Sequence, residues 1–433
     1  MRFFWLTSFC GFSTGVLCSP VFPFSFLTLL LLFFKKKHLT LLAIFFCLGS
    51  FLASVHRYSG VYEVVGYAQI KRSNYVIATN VKIFQNNRWK SCLHKVKIHS
   101  KDIQAGEFFY AFGELQFQFA YPPLVMKPFF AAGNTYSTKG FDKVHSELSK
   151  FKEKFSELLA KNTKDHFELF ATLVFSDPTF DPSRAEEVRK SGLAHLFAVS
   201  GLHVGIVYTL FDILISFFTH SLFIRRPLSS LLTFLFAIMT GPSPSALRAV
   251  LLLTIWNAFK LMDYPIEPLN LLGLVAMLNL LIEPFILLSP SFMMSYAAAA
   301  TLISIQDRIK NTNNFAKSML ISLSAFISVS PFLFLFSVVN VLAPLVSVPA
   351  VLLATPMLWA SVIAMFLLMA GLQNTAATLL RGATPFAWIL QRLIEFSSKL
   401  LNVSKSFPLY ILSSAVFLLL LWHFGHKPKN LTS

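Results

Sequence analysis

Residues 191–209 read SGLAHLFAVSGLHVGIVYT, a run apolar enough for a lipid bilayer that carries Ser191, His195, Ser200 and His203 among glycines at 192, 201 and 205. A helix that only crosses lipid gains nothing from two histidines, and glycine at this density weakens a helix, so the polar groups are expected to face protein or water. In a continuous helix His195 and His203, eight residues apart, would lie about 80° from each other, with Ser200 near both. Three readings are open. A zinc hydrolase would want His-Glu-x-x-His, and the chain has none. An intramembrane serine protease would use Ser200-Gly201 with a histidine from another helix, but His220, His423 and His426 all fall at span ends. The third reading is close helix packing through small residues beside a polar path, and the residues alone favour it.

Outward from this stretch the chain is that of a polytopic membrane protein. Of its 433 residues 55% are hydrophobic and 13% charged, and mean hydropathy is +0.63; soluble domains carry about twice that share of charge. The formal net charge of +17 calls for an anionic partner, either lipid headgroups or nucleic acid. Cysteines at 10, 18, 47 and 92 follow no metal spacing, and Cys92 has no neighbour for a local disulfide. No cofactor or metal is expected. No GxxxxGK[ST] occurs, so an internal ATP motor is not expected and any driven transport would need outside energy.

In chain order, two short apolar pieces, Phe3 to Cys18 and Phe22 to Phe34, precede Lys35-Lys36-Lys37. They suggest a hairpin returning to the cytoplasmic side, with a signal peptide as the competing reading, although no cleavage site follows. Leu39 to His56 is then a full span leading to the outer face. From Arg57 to about residue 135 short alternating runs separated by polar turns read as strands of a small OB-like barrel. Ten basic residues face four acidic ones there, a net of about +6. Lys71, Arg72, Lys82, Arg88, Lys90, Lys95, Lys97 and Lys101, with Tyr67, Tyr75, Phe84 and Trp89, fit a groove that holds single-stranded nucleic acid. A solvated basic surface with the aromatics in the core fits the same composition.

Residues 136–190 form a connector whose Lys/Glu pattern predicts one or two amphipathic helices over Phe141 to Phe175, with Asp181 or Ser183 capping the helix that leads into the opening stretch. Further spans are expected over Ile206 to Phe223 (ending at the cytoplasmic Arg225-Arg226), Leu228 to Thr240, Ala246 to Leu261, Leu269 to Leu288, Ser291 to Ile305, Ala316 to Val339, Val341 to Met369 and Pro408 to Phe424. Prolines 284, 331, 344, 349 and 356 suggest broken helices around a cavity. Arg248 inside an apolar helix marks a functional site, with snorkelling from near Pro244 as the alternative.

AHLFAVSGLHVGIV resembles the signature of the ComEC-type competence family, inner-membrane channels for transforming DNA, and TGPSPSALRAV and PLNLLGLVAMLNLLIEPFILLSPSFMMSYAAAATLI resemble its second and third motifs. The order of short N-terminal spans, outer OB-like domain and channel-forming domain (residues 191–433) agrees. The resemblance implies a non-enzymatic channel that passes single-stranded DNA inward, with His195, Ser200, Gly201 and His203 in its core and Ser245, Arg248, Pro268, Asn270 and Ser295 supporting it; the alternatives are the serine hydrolase above and a membrane scaffold that keeps the fold without transport. It further implies a DNA receptor on the outer side, a cytoplasmic ATPase or helicase and, as a further partner, a second copy of the chain. Met293 stands where relatives often have Gln, and Asn340 is one candidate for a further family Asn. The chain stops at Ser433 without the metallo-β-lactamase-like domain of many relatives, so another protein is expected to degrade the second strand.

Overall fold

The computed structural model describes residues 58–71, 74–85, 88–92, 94–103, 107–118, 124–133, 141–175, 181–197, 200–240, 244–306, 309–336 and 339–399, with isolated positions at 8–10, 13, 48–49, 402–403, 413 and 416. The expected N-terminal hairpin and first span, apart from those isolated positions, the last span and Arg72 lie outside the described residues. The chain divides into two compact units, Met1–His145 with Glu267–Met293, and Ser146–Ile266 with Met294–Ser433.

The first unit is built on a closed five-stranded barrel with one added strand. Its strands are β1 (Gly60–Lys71), β2 (Val76–Gln85), β3 (Arg88–Ser91), β4 (Val96–Ile98), β5 (Phe108–Phe117) and β6 (Leu124–Gly133). The wall runs β1-β2-β4-β6-β5 and back to β1, with β4 and β6 parallel and the other neighbours antiparallel. This is the expected OB-like barrel. β3 pairs with Lys82–Gln85 of β2 and β4 with Val76–Ala78, so the two are halves of one strand interrupted around Cys92–Lys95. Asn80, at φ 52°, marks the matching irregularity on β2.

Alternation decides which residues fill the barrel. Val76, Ala78, Val81 and Ile83 of β2, Val96 and Ile98 of β4, and Phe109, Ala111 and Leu115 of β5 are all buried. At the irregularity between Phe112 and Gly113 the β6 backbone comes so near that a Cβ on Gly113 would meet the Lys127 carbonyl and Pro128. In the same unit, the apolar helix Pro268–Ile282 leads into a 3₁₀ turn, Pro284–Leu288, whose second residue is Phe285. That ring is fully buried, 4.9 Å from the His94 ring and 5.1 Å from the Phe117 ring of the barrel.

The second unit is helical. α1 (Phe141–Thr163), which starts just before the unit, and α2 (Phe167–Val174) are the two helices expected here, but α2 buries every residue from Leu169 to Val174 and is a core helix, not an amphipathic one; α3 (Pro182–Lys190) has Asp181 at its N-cap position without a side-chain cap bond. Then follow α4 (Gly201–Ser216), α5 (Leu222–Met239), α6 (Pro244–Leu261), α7 (the Pro268–Ile282 helix of the first unit), α8 (Pro290–Ile305), α9 (Asn314–Phe336), α10 (Ala343–Met369) and α11 (Gln373–Ser398). Among the described residues, Leu222–Met239, Asn314–Phe334 and Ala343–Met369 are long and apolar enough to cross a membrane, and α4, α7 and α8 are shorter apolar helices. The chain is thus a helical membrane protein with an inserted small barrel.

Two expectations are corrected. The predicted span Ile206 to Phe223 ends early, at Ser216, and Arg225-Arg226-Pro227 lies in the first two turns of α5, where Pro227 sits inside the helix without stopping it. Arg225 Nε pairs with Asp212 Oδ1 at 2.9 Å, which fixes the α4–α5 turn. Of the five prolines, Pro284 does end a helix, since α7 stops at Ile282 and a 3₁₀ turn begins at Pro284, and Pro344 lies at the start of α10; Pro331 in α9 and Pro349 and Pro356 in α10 do not break theirs.

Candidate functional site

α3 does not run on into the opening stretch. It stops at Lys190, and Gly192 turns the chain at φ +77°, a left-handed conformation that glycine adopts without strain. Space demands glycine as well, because a Cβ here would lie 2.6 Å from Ala343 Cβ and 3.1 Å from Asn340 Cβ. A buried polar clamp secures the turn. Asn340 donates its Nδ2 hydrogens to the carbonyls of Lys190 and Ser397, each at 2.9 Å, and its Oδ1 accepts the Leu342 N–H at 2.9 Å. Ser397 Oγ donates to the Ser191 carbonyl at 2.9 Å and Ser191 Oγ to the Val188 carbonyl at 2.8 Å. Ser191, Asn340 and Ser397 are all shut off from solvent.

Beyond the clamp a 3₁₀ turn, Ala194–Leu196, carries His195, which is exposed with Nδ1 3.1 Å from the Gly192 carbonyl. Ser200 is the N-cap of α4 and His203 its third residue, and the two form a reciprocal capping box. The Ser200 N–H donates to His203 Nδ1 at 3.2 Å, and Ser200 Oγ lies 3.0 Å from the same nitrogen. The two histidines therefore do not share one helix. The expected common face is replaced by a turn, a cap and a helix, with Ser200 joined to His203.

Gly201 allows close approach to α6, where its missing Cβ would sit 3.4 Å from Ala249 Cβ. α6 packs on α4 and α5 through Ala246 and Val250, against Val204 and Ala237. Arg248 is two residues from both Ala246 and Val250, roughly 160° round the helix, so it points away from that contact. It is 4% exposed, with its guanidinium 6.0 Å over the Tyr296 ring of α8. Ser245 and Ser295 are half-buried on α6 and α8, and Asn270 is half-buried on α7 in the other unit. The structure thus brings together Ser200 with His203, Gly201 with Ala249 and Arg248 with Tyr296. It also presents a buried polar contact that sequence reasoning passed over: Asn257 Nδ2 donates to Tyr208 Oη at 3.0 Å and Ser230 Oγ at 3.1 Å, joining α4, α5 and α6. Asn257 in an apolar helix was the available signal.

On the barrel, Lys82, Arg88, Trp89, Lys90 and Lys101 are exposed and Lys95 and Lys97 half-buried, while Lys71 lies on β1. Tyr67, Tyr75, Phe84 and Trp89 lie outside the core. The Trp89 and Phe84 rings are 5.1 Å apart, and Lys97 Nζ sits 4.4 Å over the Tyr75 ring, which is itself 6.1 Å from the His99 ring. Partial burial, then the charges of Lys97 and Lys127, hold the His99 imidazole below its ordinary pKa.

Fold and site together define a helical membrane protein that carries an OB-like barrel with cations and aromatic rings on its outside. The Competence protein family description matches residues 173–427, more than half of the chain, and the chain belongs to that family. It is also similar to ComE operon protein 3 of Bacillus subtilis (strain 168), 32% identical over 173 residues, a match that covers 37% of this chain and 21% of that relative. No solved structure gives a significant match.

Proposed function

We propose that the chain takes up DNA in natural transformation, passing a single strand inward across the cytoplasmic membrane from a barrel on the outer face. Family membership supports the setting. The observation that carries the cargo is the outside of the barrel, where Lys82, Arg88, Lys90 and Lys97 accompany the partly exposed rings of Tyr75, Phe84 and Trp89. Phosphate contacts of this kind hold a strand without reading its sequence, and stacking suits unpaired bases. In this reading His195, Ser200, Gly201, His203, Ser245, Arg248, Asn270 and Ser295 belong to the membrane path, a receptor delivers DNA from outside, and a cytoplasmic ATPase or helicase pulls it in. The test is import of labelled DNA in a deletion strain: the wild-type gene restores it and a Lys95→Gln, Lys97→Gln, Lys101→Gln variant restores it poorly. Unchanged import in the deletion strain itself would sink the proposal.

The 3.0 Å approach of Ser200 Oγ to His203 Nδ1 gives a second reading, a serine hydrolase. Ser200→Asn separates the two, because Asn caps a helix as well as Ser but has no hydroxyl nucleophile. Import that survives the substitution with no peptidase activity lost fits the cap; loss of a peptidase activity with import intact fits the hydrolase.

A further inference from the structure

The barrel's basic outer wall is not uniform. At one end of β2, Tyr75 lies under Lys97 Nζ, with His99 beside it and Lys127 close enough to His99 to affect its charge. At the other end, Phe84 faces Trp89 across the β2–β3 pair, and Trp89 is 41% exposed. Every residue of β3 is exposed, an arrangement that a barrel wall alone does not require. Between the two ends Lys82 points outward, and the Lys90 ammonium reaches back to Gln85 Oε1 at 3.0 Å. The interruption around Cys92–Lys95 is what lets one strand of the wall carry two separate aromatic and cationic clusters.

We propose that these clusters are two stacking stations on a single track, so that one strand of nucleic acid is held at both ends of β2 at once. This rests on the reading of the barrel as a single-strand binder and adds its footprint. Tyr75 and Phe84 are nine residues apart, about 30 Å along a strand at roughly 3.3 Å per residue. That equals about nine nucleotides at the roughly 3.4 Å spacing of stacked bases, and fewer where the strand is extended. The footprint falls inside the range of about 4–16 nucleotides held by one OB-type barrel. Short oligomers occupy one station at a time. Longer ones engage the second intramolecularly, at a high effective concentration.

The experiment is binding of an oligo(dT) series, three to about fifteen nucleotides by design on the scale of that footprint, to the full chain in detergent at one salt concentration. Wild-type affinity is expected to climb steeply once the oligomer spans both stations, at or below about nine nucleotides. Trp89→Ala and Tyr75→Ala should each flatten that climb, weakening long oligomers roughly 5- to 150-fold and trinucleotides much less, since the other station remains. Trp89→Phe and Tyr75→Phe retain a ring and should restore the climb, which a variant that only loosened the fold would not allow. Equal loss for short and long oligomers, or a wild-type affinity that does not depend on length, overturns the two-station track while leaving single-strand binding standing. No binding of any oligomer by the wild type overturns both.

Discussion

Gly192 and Asn340 show how much depends on single side chains in the membrane unit. Gly192→Ala forces a Cβ into Ala343 at a left-handed φ, and Asn340→Ala takes the donor from the part-buried Lys190 carbonyl and the buried Ser397 carbonyl. Each is expected to cost about 1–3 kcal/mol, read as a lower unfolding temperature in detergent, whereas Gly205→Ala, with open space around the added methyl inside α4, should raise stability by up to about 1 kcal/mol. His99 supplies a pH test. Its pKa in the folded barrel lies below the ordinary 6.5, so the unfolded chain binds the extra proton first. Its contribution to stability is complete above about pH 6.5 and is lost as pH falls through that value towards the folded pKa. The wild type should therefore lose more thermal stability between pH 7.5 and 5.5 than His99→Gln, while strand binding should strengthen over the same interval as His99 gains charge; equal losses in the two proteins would refute the linkage.

At the scale of elements, α11 is the helix that sequence reasoning left unassigned between two predicted spans. Its signal was present. Ala376, Leu380, Ala383, Ala387, Leu390, Ile394 and Ser397 are its buried residues, spaced alternately four and three apart, a heptad pattern obscured because three of them are alanine and the ends are polar. The partner α10 is buried on more than one face, and its buried residues include the series Ser347, Ala350, Ala354, Met357, Ser361, Ala364 and Leu368 at the same spacing; the two antiparallel helices turn at Gly371, whose φ is +80°. Leu390→Ala should then cost about 2–5 kcal/mol and Ile389→Ala, 45% exposed, under about 1 kcal/mol, measured on the detergent-solubilised chain; similar costs would contradict this packing. Barrel strands were legible because alternation with polar turns has few other readings. The opening stretch was not, because apolar residues mask a helix start: Ser200 and His203 three apart were visible, but only the fold makes them a cap. Arg248 was legible as buried charge, whereas its ring partner Tyr296, 48 residues on, was not.

For the whole molecule the decisive property is charge. A chain with net charge +17 attracts any polyanion, so affinity alone says little; its salt dependence says more. Each phosphate contact with a single strand contributes about 0.7 to the slope of log affinity against log salt. Lys82→Gln, Lys90→Gln and Lys97→Gln together should flatten that slope by about 2, and an unchanged slope would return these lysines to an ordinary solvated surface. The contact of Phe285 with His94 and Phe117 bears on how load would pass through the protein. The barrel is not a bead on a string, because a buried aromatic wedge at the end of α7 is seated directly in it. Displacing the barrel therefore displaces the turn that follows the apolar helix α7 without first taking up slack in a linker, because Phe285 is buried against His94 and Phe117.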